Sequence, residues 1–264
     1  MPRSTLNSTI KSPEEMHNHF CPKFSIITVT YNAGAVLEDT IQSVISQTYH
    51  NVEYILIDGA SKDNTLAIIK KYEGRITRVV SEPDKGLYDA MNKGIALATG
   101  DYLCFLNAGD SFHEDDTLQQ IIHSLRNCTR LPDVLYGETA IVDAKGHFLR
   151  MRRLSTPEHL TWRSFRHGML VCHQAFFARR DVVEPYNLSY RFSADFDWCI
   201  RIMKKSQLLH NTHLTVIDYL DEGMTTRNQK ASLKERFSIM ATHYGLLSTS
   251  IHHLWFILRL VIRK

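Results

Sequence analysis

No stretch of about 18 consecutive apolar residues occurs in the 264-residue chain, so no segment is long enough to cross a bilayer. The first 22 residues also lack the apolar run of a signal peptide. They end in His17-Asn18-His19-Phe20-Cys21-Pro22 and read as a loose arm rather than a targeting segment. Cysteine is scarce and scattered. The five residues, Cys21, Cys104, Cys128, Cys172 and Cys199, are odd in number and never spaced as Cys-x-x-Cys. That excludes a disulfide framework and a thiolate zinc site, and it points to a reducing compartment. The Asn-x-Ser/Thr triplets at Asn7, Asn127 and Asn187 are then chance. An excess of one charge is missing too. Lys+Arg number 31 against 28 Asp+Glu, a net charge of +3, which is too small to imply nucleic acid as a partner. With no internal repeat, low-complexity tract or Pro/Gly linker, one compact domain is expected, in the cytoplasm.

What is present is an ordinary globular composition, 44% apolar and 22% charged. Phe24 to Thr30 is a β-branched run of strand length, followed by Leu37, Ile41, Val44 and Ile45 at helical spacing. Glu53 to Ile57 is a second strand, ending at Asp58-Gly59. Thr65 to Tyr72 reads as a helix, Ile76 to Val80 as a third strand, and Leu87 to Ala98 as a helix with Gly100 as its stop. Tyr102 to Leu106 is apolar on both faces, as a central parallel strand should be. This βαβαβαβ series predicts a parallel sheet sandwiched by helices.

After about residue 130 the pattern changes to short strands: Val134 to Gly137, Thr139 to Val142, His147 to Arg152 and Gln174 to Ala178. A helix follows from Phe196 to Met203. Ligands of open parallel sheets bind beyond the carboxyl ends of the strands. Three polar clusters fall at those ends: Thr30-Tyr31-Asn32, Asp58-Gly59-Ala60-Ser61, and Asn107-Ala108-Gly109-Asp110.

Five blocks then carry a resemblance. They are Ser25 to Asn32, Asp58 to Thr65, Glu82 to Gly94, Gly100-Asp101, and Phe105 to Asp110. In order and spacing, over roughly residues 23–205, the chain resembles glycosyltransferase family 2, nearest to the bacterial enzymes of O-antigen, colanic acid and capsule synthesis. The resemblance implies an α/β GT-A fold: one Rossmann-like domain with a mostly parallel central sheet flanked by helices. It also implies a nucleotide-diphosphate sugar donor (a UDP-sugar is favoured), a divalent metal, Mn or Mg, and inversion at the anomeric carbon. The organisation it suggests is an arm over 1–22 and a nucleotide-sugar-binding half over 23–130. An acceptor-binding half over 131–230 and a helical tail over 231–264 complete it.

The resemblance assigns nucleotide contacts to Thr30, Tyr31, Asn32, Asp58, Ser61, Asp84, Lys85, Asn92, Asn107 and Ala108. Asp58 would accept from the base. Tyr31 either stacks on the base or fills the sheet edge. Asp110 is the expected metal ligand, since a departing diphosphate needs a hard cation with oxygen ligands. The family usually has Asp-x-Asp-Asp where this chain has Asn107-Ala108-Gly109-Asp110, so two carboxylates are missing. Ser193-Ala194-Asp195-Phe196-Asp197 resembles the family's Glu-Asp block, which makes Asp195 the expected catalytic base and Asp197 the fallback. His173 and Gln174 are weaker candidates for donor or acceptor contact. The chain-elongating signature Gln-x-x-Arg-Trp is absent, which points to transfer of a single sugar.

Cations concentrate in residues 145–180, with eight Lys and Arg against Glu158 alone, a field suited to phosphate. The segment 251–264 is apolar, with Trp255 and terminal cations. It is expected either to lie on a membrane surface, putting the protein on the inner face of the cytoplasmic membrane, or to pack on the domain or in a homodimer. A membrane location would fit a lipid-diphosphate-linked glycan as acceptor. The competing reading is an inert nucleotide-sugar-binding homologue, suggested by Asn107, Gly109 and Ala194. A nucleotidyltransferase is disfavoured because no Gly-rich loop follows the first strand. A paired-carboxylate hydrolase is disfavoured because Asp195 and Asp197 diverge at the start of a helix.

Overall fold

The computed structural model describes residues 20–221 and 229–262, with side chains as far as Trp255. The expected arm lies almost wholly outside the described residues, as do the side chains of 256–264. Strands β1 (Phe24–Thr30), β2 (Val52–Asp58), β3 (Arg78–Ser81) and β4 (Tyr102–Phe105) stand parallel in the order β3-β2-β1-β4. Their connections are helices α1 (Leu37–Ile45), α2 (Thr65–Lys71) and α3 (Leu87–Leu97). β1 and β4 are buried along their whole length, because helices cover both faces of a parallel sheet. α3 approaches β1 so closely that a Cβ on Gly94 would lie 2.4 Å from Ile27 Cγ2.

Register places the site. Thr30 is level with Asp58, and Asp58 with Ser81, so three neighbouring strands end together. Beyond β4 the chain forms β5 (Ser111–Phe112), α4 (Thr117–Ser124), β6 (Val134–Val142), β7 (Phe148–Met151) and β8 (Phe176–Arg179). Then come α5 (Ala194–Lys205), β9 (Leu209–Leu220), α6 (Gln229–Tyr244) and α7 (Leu246–Ile262). The sheet continues β4-β8-β6-β9-β5, with β7 added to β6. β8 runs antiparallel to β4 and to β6, and β9 is parallel to β6. This is the expected α/β architecture, a curled, mostly parallel sheet flanked by helices.

Several details differ from the sequence-based expectation. The runs at Val134 and Thr139 form one strand, bulged against β9 beside Glu138. His173 to Ala175 forms a single 3₁₀ turn, and strand β8 starts only at Phe176. β9 carries a mixed polar sequence with no clean alternation, because its burial varies along its length. Gly100 does not end α3. Helix α3 stops at Leu97, and Gly100 is required because a Cβ would come within 2.7 Å of the Ser25 amide nitrogen.

A buried carboxylate joins these pieces away from the site. Glu53 of β2 accepts from Ser25 Oγ (2.6 Å), Thr99 N (2.7 Å) and Thr99 Oγ1 (2.8 Å), with Lys23 Nζ at 3.5 Å. Burial pushes its pKa up, but these donors outweigh that and hold it at about 2, against 4.5 for an ordinary glutamate. A depressed pKa stabilises the fold above the ordinary carboxylate range, and that stabilisation is lost as pH falls from about 4.5 towards about 2. Glu53→Gln should therefore lower stability by about 1–3 kcal/mol in urea unfolding at pH 7. The gap between parent and variant should close as the pH drops through that window. A gap independent of pH would show that the charge on Glu53 is not what matters.

Candidate active site

A cavity of about 950 Å³ opens at the carboxyl ends of β1, β2 and β4. The segment around residues 169–174, the start of α5 and a face of α6 close its far side. Its size suits a nucleotide-sugar-sized ligand.

At one end stands a braced pair of loops. Asn32 takes a left-handed conformation (φ 48°). Its amide donates to Ser61 Oγ (2.8 Å), and its Oδ1 accepts from Lys62 N (2.7 Å). Asp58 is fully buried. It accepts from Ser61 Oγ (2.5 Å), Ser61 N (3.1 Å) and Ser81 Oγ (2.6 Å). Asn32, Asp58 and Ser61 thus tie the loops together behind the cavity wall. The wall itself is Thr30, Tyr31, Gly59 and Asp84. A Cβ on Gly59 would lie 2.9 Å from Asp84 Oδ2 and 3.3 Å from Tyr31, so the glycine keeps these two side chains together. Tyr31 is 64% exposed, leaving a ring free at the lip rather than filling the sheet edge. Lys93 holds Asp84 (2.5 Å) and Glu82 (2.9 Å). Burial pulls the lysine pKa down, but the two carboxylates hold it above its ordinary value.

Two further expected contacts also lie off the cavity wall. Asn92 clasps the backbone of Tyr186, donating to its carbonyl (3.1 Å) and accepting from its amide (2.7 Å). Lys85 is exposed and does not line the cavity, and its amide bonds Asp89 (3.0 Å).

Asn107, Ala108 and Asp110 line the cavity where β4 ends. Asp110 accepts from Gln174 Nε2 (2.8 Å) and Leu220 N (3.2 Å), and burial pushes its pKa up to about 7 despite both bonds. Asn107 Oδ1 is buried with no hydrogen-bond partner among the described residues. Gly109 has φ +102°, a backbone conformation that a residue with a side chain, a carboxylate included, adopts only under strain. Among the described residues no group of three His, Cys, Asp or Glu could enclose a metal. The donor set, one carboxylate and one orphaned amide oxygen, fits a hard cation that takes its remaining ligands from a diphosphate and water.

Asp195 lies in the first turn of α5, half-buried on the cavity wall, and accepts from Tyr88 Oη (3.1 Å). Burial keeps the Tyr88 hydroxyl protonated, so it remains a donor. Asp197 points away. Arg201 Nε (2.7 Å) and His243 Nε2 (2.7 Å) bind it; burial would raise its pKa, but these partners hold it below the ordinary value. His173 also lines the cavity. It bonds Tyr186 Oη (2.5 Å), stacks on Phe105, and burial lowers its pKa to about 4, so it is a neutral imidazole. Of the basic run 145–180, Arg152 reaches the cavity, whereas Arg179 pairs with Asp133 and Asp181. Sequence reasoning missed Tyr88, Arg191 and Arg236 as wall residues. Tyr88 lay in a recognised block, but nothing in the sequence showed that α6 returns to the cavity.

Comparison with known proteins agrees with this geometry. The family model of glycosyl transferase family 2 matches residues 25–186. A PGL/p-HBAD biosynthesis glycosyltransferase of Mycobacterium tuberculosis (strain ATCC 25177 / H37Ra) is 36% identical over 212 residues, 76% of this chain and 78% of that protein. The amylovoran biosynthesis glycosyltransferase AmsB of Erwinia amylovora is 31% identical over 194 residues, 69% of this chain and 64% of that one. The crystal structure of S. aureus TarS 1–349 in complex with UDP-GlcNAc superposes with a TM-score of 0.66. It is 16% identical, over 83% of this chain and 65% of that one, and so speaks to the fold, a GT-A fold. The chain belongs to glycosyl transferase family 2.

Proposed function

We propose that this enzyme moves one sugar from a nucleotide-diphosphate sugar, with inversion, onto a hydroxyl of a glycan in bacterial surface polysaccharide or glycolipid synthesis. One observation carries the reading. Asp195, accepting from a permanently protonated Tyr88, shares a cavity with the Tyr31–Asp84 lip and the Asn107–Asp110 turn. Tyr31 and Asp84 take the base and ribose of a UDP moiety, and Asp58 acts behind them by bracing the loop. The AmsB and TarS comparisons support the substrate class, since one is named for polysaccharide synthesis and the other holds UDP-GlcNAc.

Asp195 takes the proton of the acceptor hydroxyl as its oxygen bonds the anomeric carbon, and the bond to the diphosphate oxygen breaks on the opposite face. A divalent cation bound by Asp110 and Asn107 would offset charge on the leaving diphosphate. His173, neutral and fixed by Tyr186, and Gln174, fixed by Asp110, shape the sugar pocket. The absence of Gln-x-x-Arg-Trp supports single transfer. Gly109, whose backbone conformation disfavours a second carboxylate, favours one alternative, a binding protein without turnover.

The acceptor glycan is carried on a lipid diphosphate. Among the described residues no helix is long and apolar enough to cross a membrane. Yet α7 exposes Leu247 (78%), Ile251 (60%), Leu254 (59%) and Trp255 (54%) along one stripe, while His252 faces His167 and His253 faces Phe237. Beside its start, Arg163 and Lys204 lie 4.6 and 4.8 Å from the Trp162 ring, which stacks on Tyr244. An apolar stripe edged by cations suits an anionic lipid surface.

Three measurements test these readings. Asp195→Asn should leave UDP binding within about twofold while sugar transfer, or slow donor hydrolysis, falls by about 10²–10⁴-fold. Titrating the parent with UDP and Mn²⁺ and then assaying turnover decides against the inert alternative, because binding without any turnover would favour it. Replacing Leu247, Ile251, Leu254 and Trp255 with Gln should abolish co-sedimentation with anionic liposomes. Unchanged sedimentation removes the membrane reading, and loss of a dimer by light scattering instead would assign the stripe to a second copy.

A further inference from the structure

The proposed chemistry leaves the cations of the cavity wall unused. Arg152, Arg191 and Arg236 all line it, and none forms an ion pair with a carboxylate among the described residues. Arg152 is occupied by the carbonyls of Met169 (2.6 Å), Leu154 (3.2 Å) and Leu170 (3.3 Å). Arg191 is exposed, its guanidinium 5.7 Å from the Phe192 ring. Arg236 stands apart from both. Its guanidinium lies 6.0 Å from the Phe196 ring, and its Nε is buried with no hydrogen-bond partner among the described residues. A buried, charged donor without an acceptor is rare, because leaving one costs its full desolvation.

Arg236 is not a loose surface side chain, because α6 is pinned at this place. The preceding residue, Glu235, accepts from the amides of Arg191 (2.8 Å), Phe192 (2.7 Å) and Ser193 (3.0 Å). Ser232 Oγ pairs with Ser193 Oγ (3.0 Å), and His243 binds Asp197 (2.7 Å). The clamp ties the Arg191 backbone to α6, and Arg191, Arg236 and Asp195 all line the one cavity. We propose that Arg236, with Arg191, forms a phosphate-binding subsite that grips a phosphate group of a substrate. The proposal rests on the reading of the cavity as a sugar-transfer site. An arginine fork matches phosphate oxygens bidentately, and a partly desolvated one binds them more strongly than a surface lysine would. The phosphate belongs either to the donor diphosphate or to the carrier of the acceptor. The chemistry at Arg236 is the same in both cases.

The test is calorimetric titration of the full chain with two probes, UDP and, in saturating UDP, farnesyl diphosphate. Arg236→Gln should weaken one of them by at least about tenfold while the melting temperature stays near the parent's. Weakened UDP assigns the subsite to the donor diphosphate, and weakened farnesyl diphosphate assigns it to the acceptor carrier. Arg236→Lys, which keeps the charge and guards against a folding defect, should recover part of the loss. If both affinities stay within about twofold in Arg236→Gln and in the double variant with Arg191→Gln, the subsite is overturned while the nucleotide-sugar reading stands. If the parent binds farnesyl diphosphate through Arg236 but not UDP, the donor reading fails and the subsite survives. A parent that binds neither probe overturns both.

Discussion

Asp58, a carboxylate with no exposed surface, sits where β1, β2 and β3 end level with one another. Its oxygens collect Ser61 of its own turn and Ser81 of the neighbouring strand. A buried charge is tolerable only when donors surround it, so the turn cannot relax without stranding the carboxylate. Asn32 then binds that turn from β1 through Ser61 and Lys62. The left-handed backbone at Asn32 and Ala60 is held by the same bonds. What results is a rigid edge on which Gly59 leaves just enough space for Tyr31 and Asp84 to meet. This end of the cavity depends on that interaction, although Asp58 is not among the lining residues.

The other end of the cavity is organised around charge that has to be balanced. Burial pushes the Asp110 pKa up to about 7, and Gly109 beside it has a backbone conformation that a second acid would adopt only under strain. Two ionised carboxylates could hold a cation by themselves, whereas a lone carboxylate would need further oxygen ligands from elsewhere. Asn107 Oδ1, buried and unpartnered, is consistent with an oxygen waiting for a ligand. The cavity wall compensates with arginines on its far side, where α5 and α6 meet.

How much of this was legible in the sequence follows from how local each feature is. The strands of the parallel half were readable because burial on both faces produces continuous apolar runs, as in Tyr102–Phe105. The polar clusters at their ends were readable because topology puts such ends together. The distinction between wall and brace was not. Asp58 and Asp84 are both acids at loop starts, and only the positions of Ser81 and Lys93 send one inward and the other to the cavity. Asp195 and Asp197 were separable in principle, since residues two apart on a helix face different ways. Which of them faced the cavity depended on Arg201 and His243, the latter 46 residues beyond Asp197. β9 was missed because its pairing with β6 is bulged and its faces are buried unevenly, which erases the period-two signal.

Long-range dependence is strongest at α6. Helix α5 begins at Ala194 with Ser193 as its cap, but the serine makes no side-chain bond to the helix amides. The exposed donors just before the helix are taken instead by Glu235, which comes from a different helix. A negative charge near a helix N-terminus is favourable in its own right, so Glu235 both anchors α6 and fixes the direction in which α5 starts. Asp195 is in the first turn of that helix, and its place relative to Tyr88 therefore rests on a contact from the C-terminal segment. A division of the chain at residue 230 into a catalytic domain and a separate tail crosses these bonds. The helix that presents Arg236 to the cavity is the same one that fixes the start of α5, and with it Asp195.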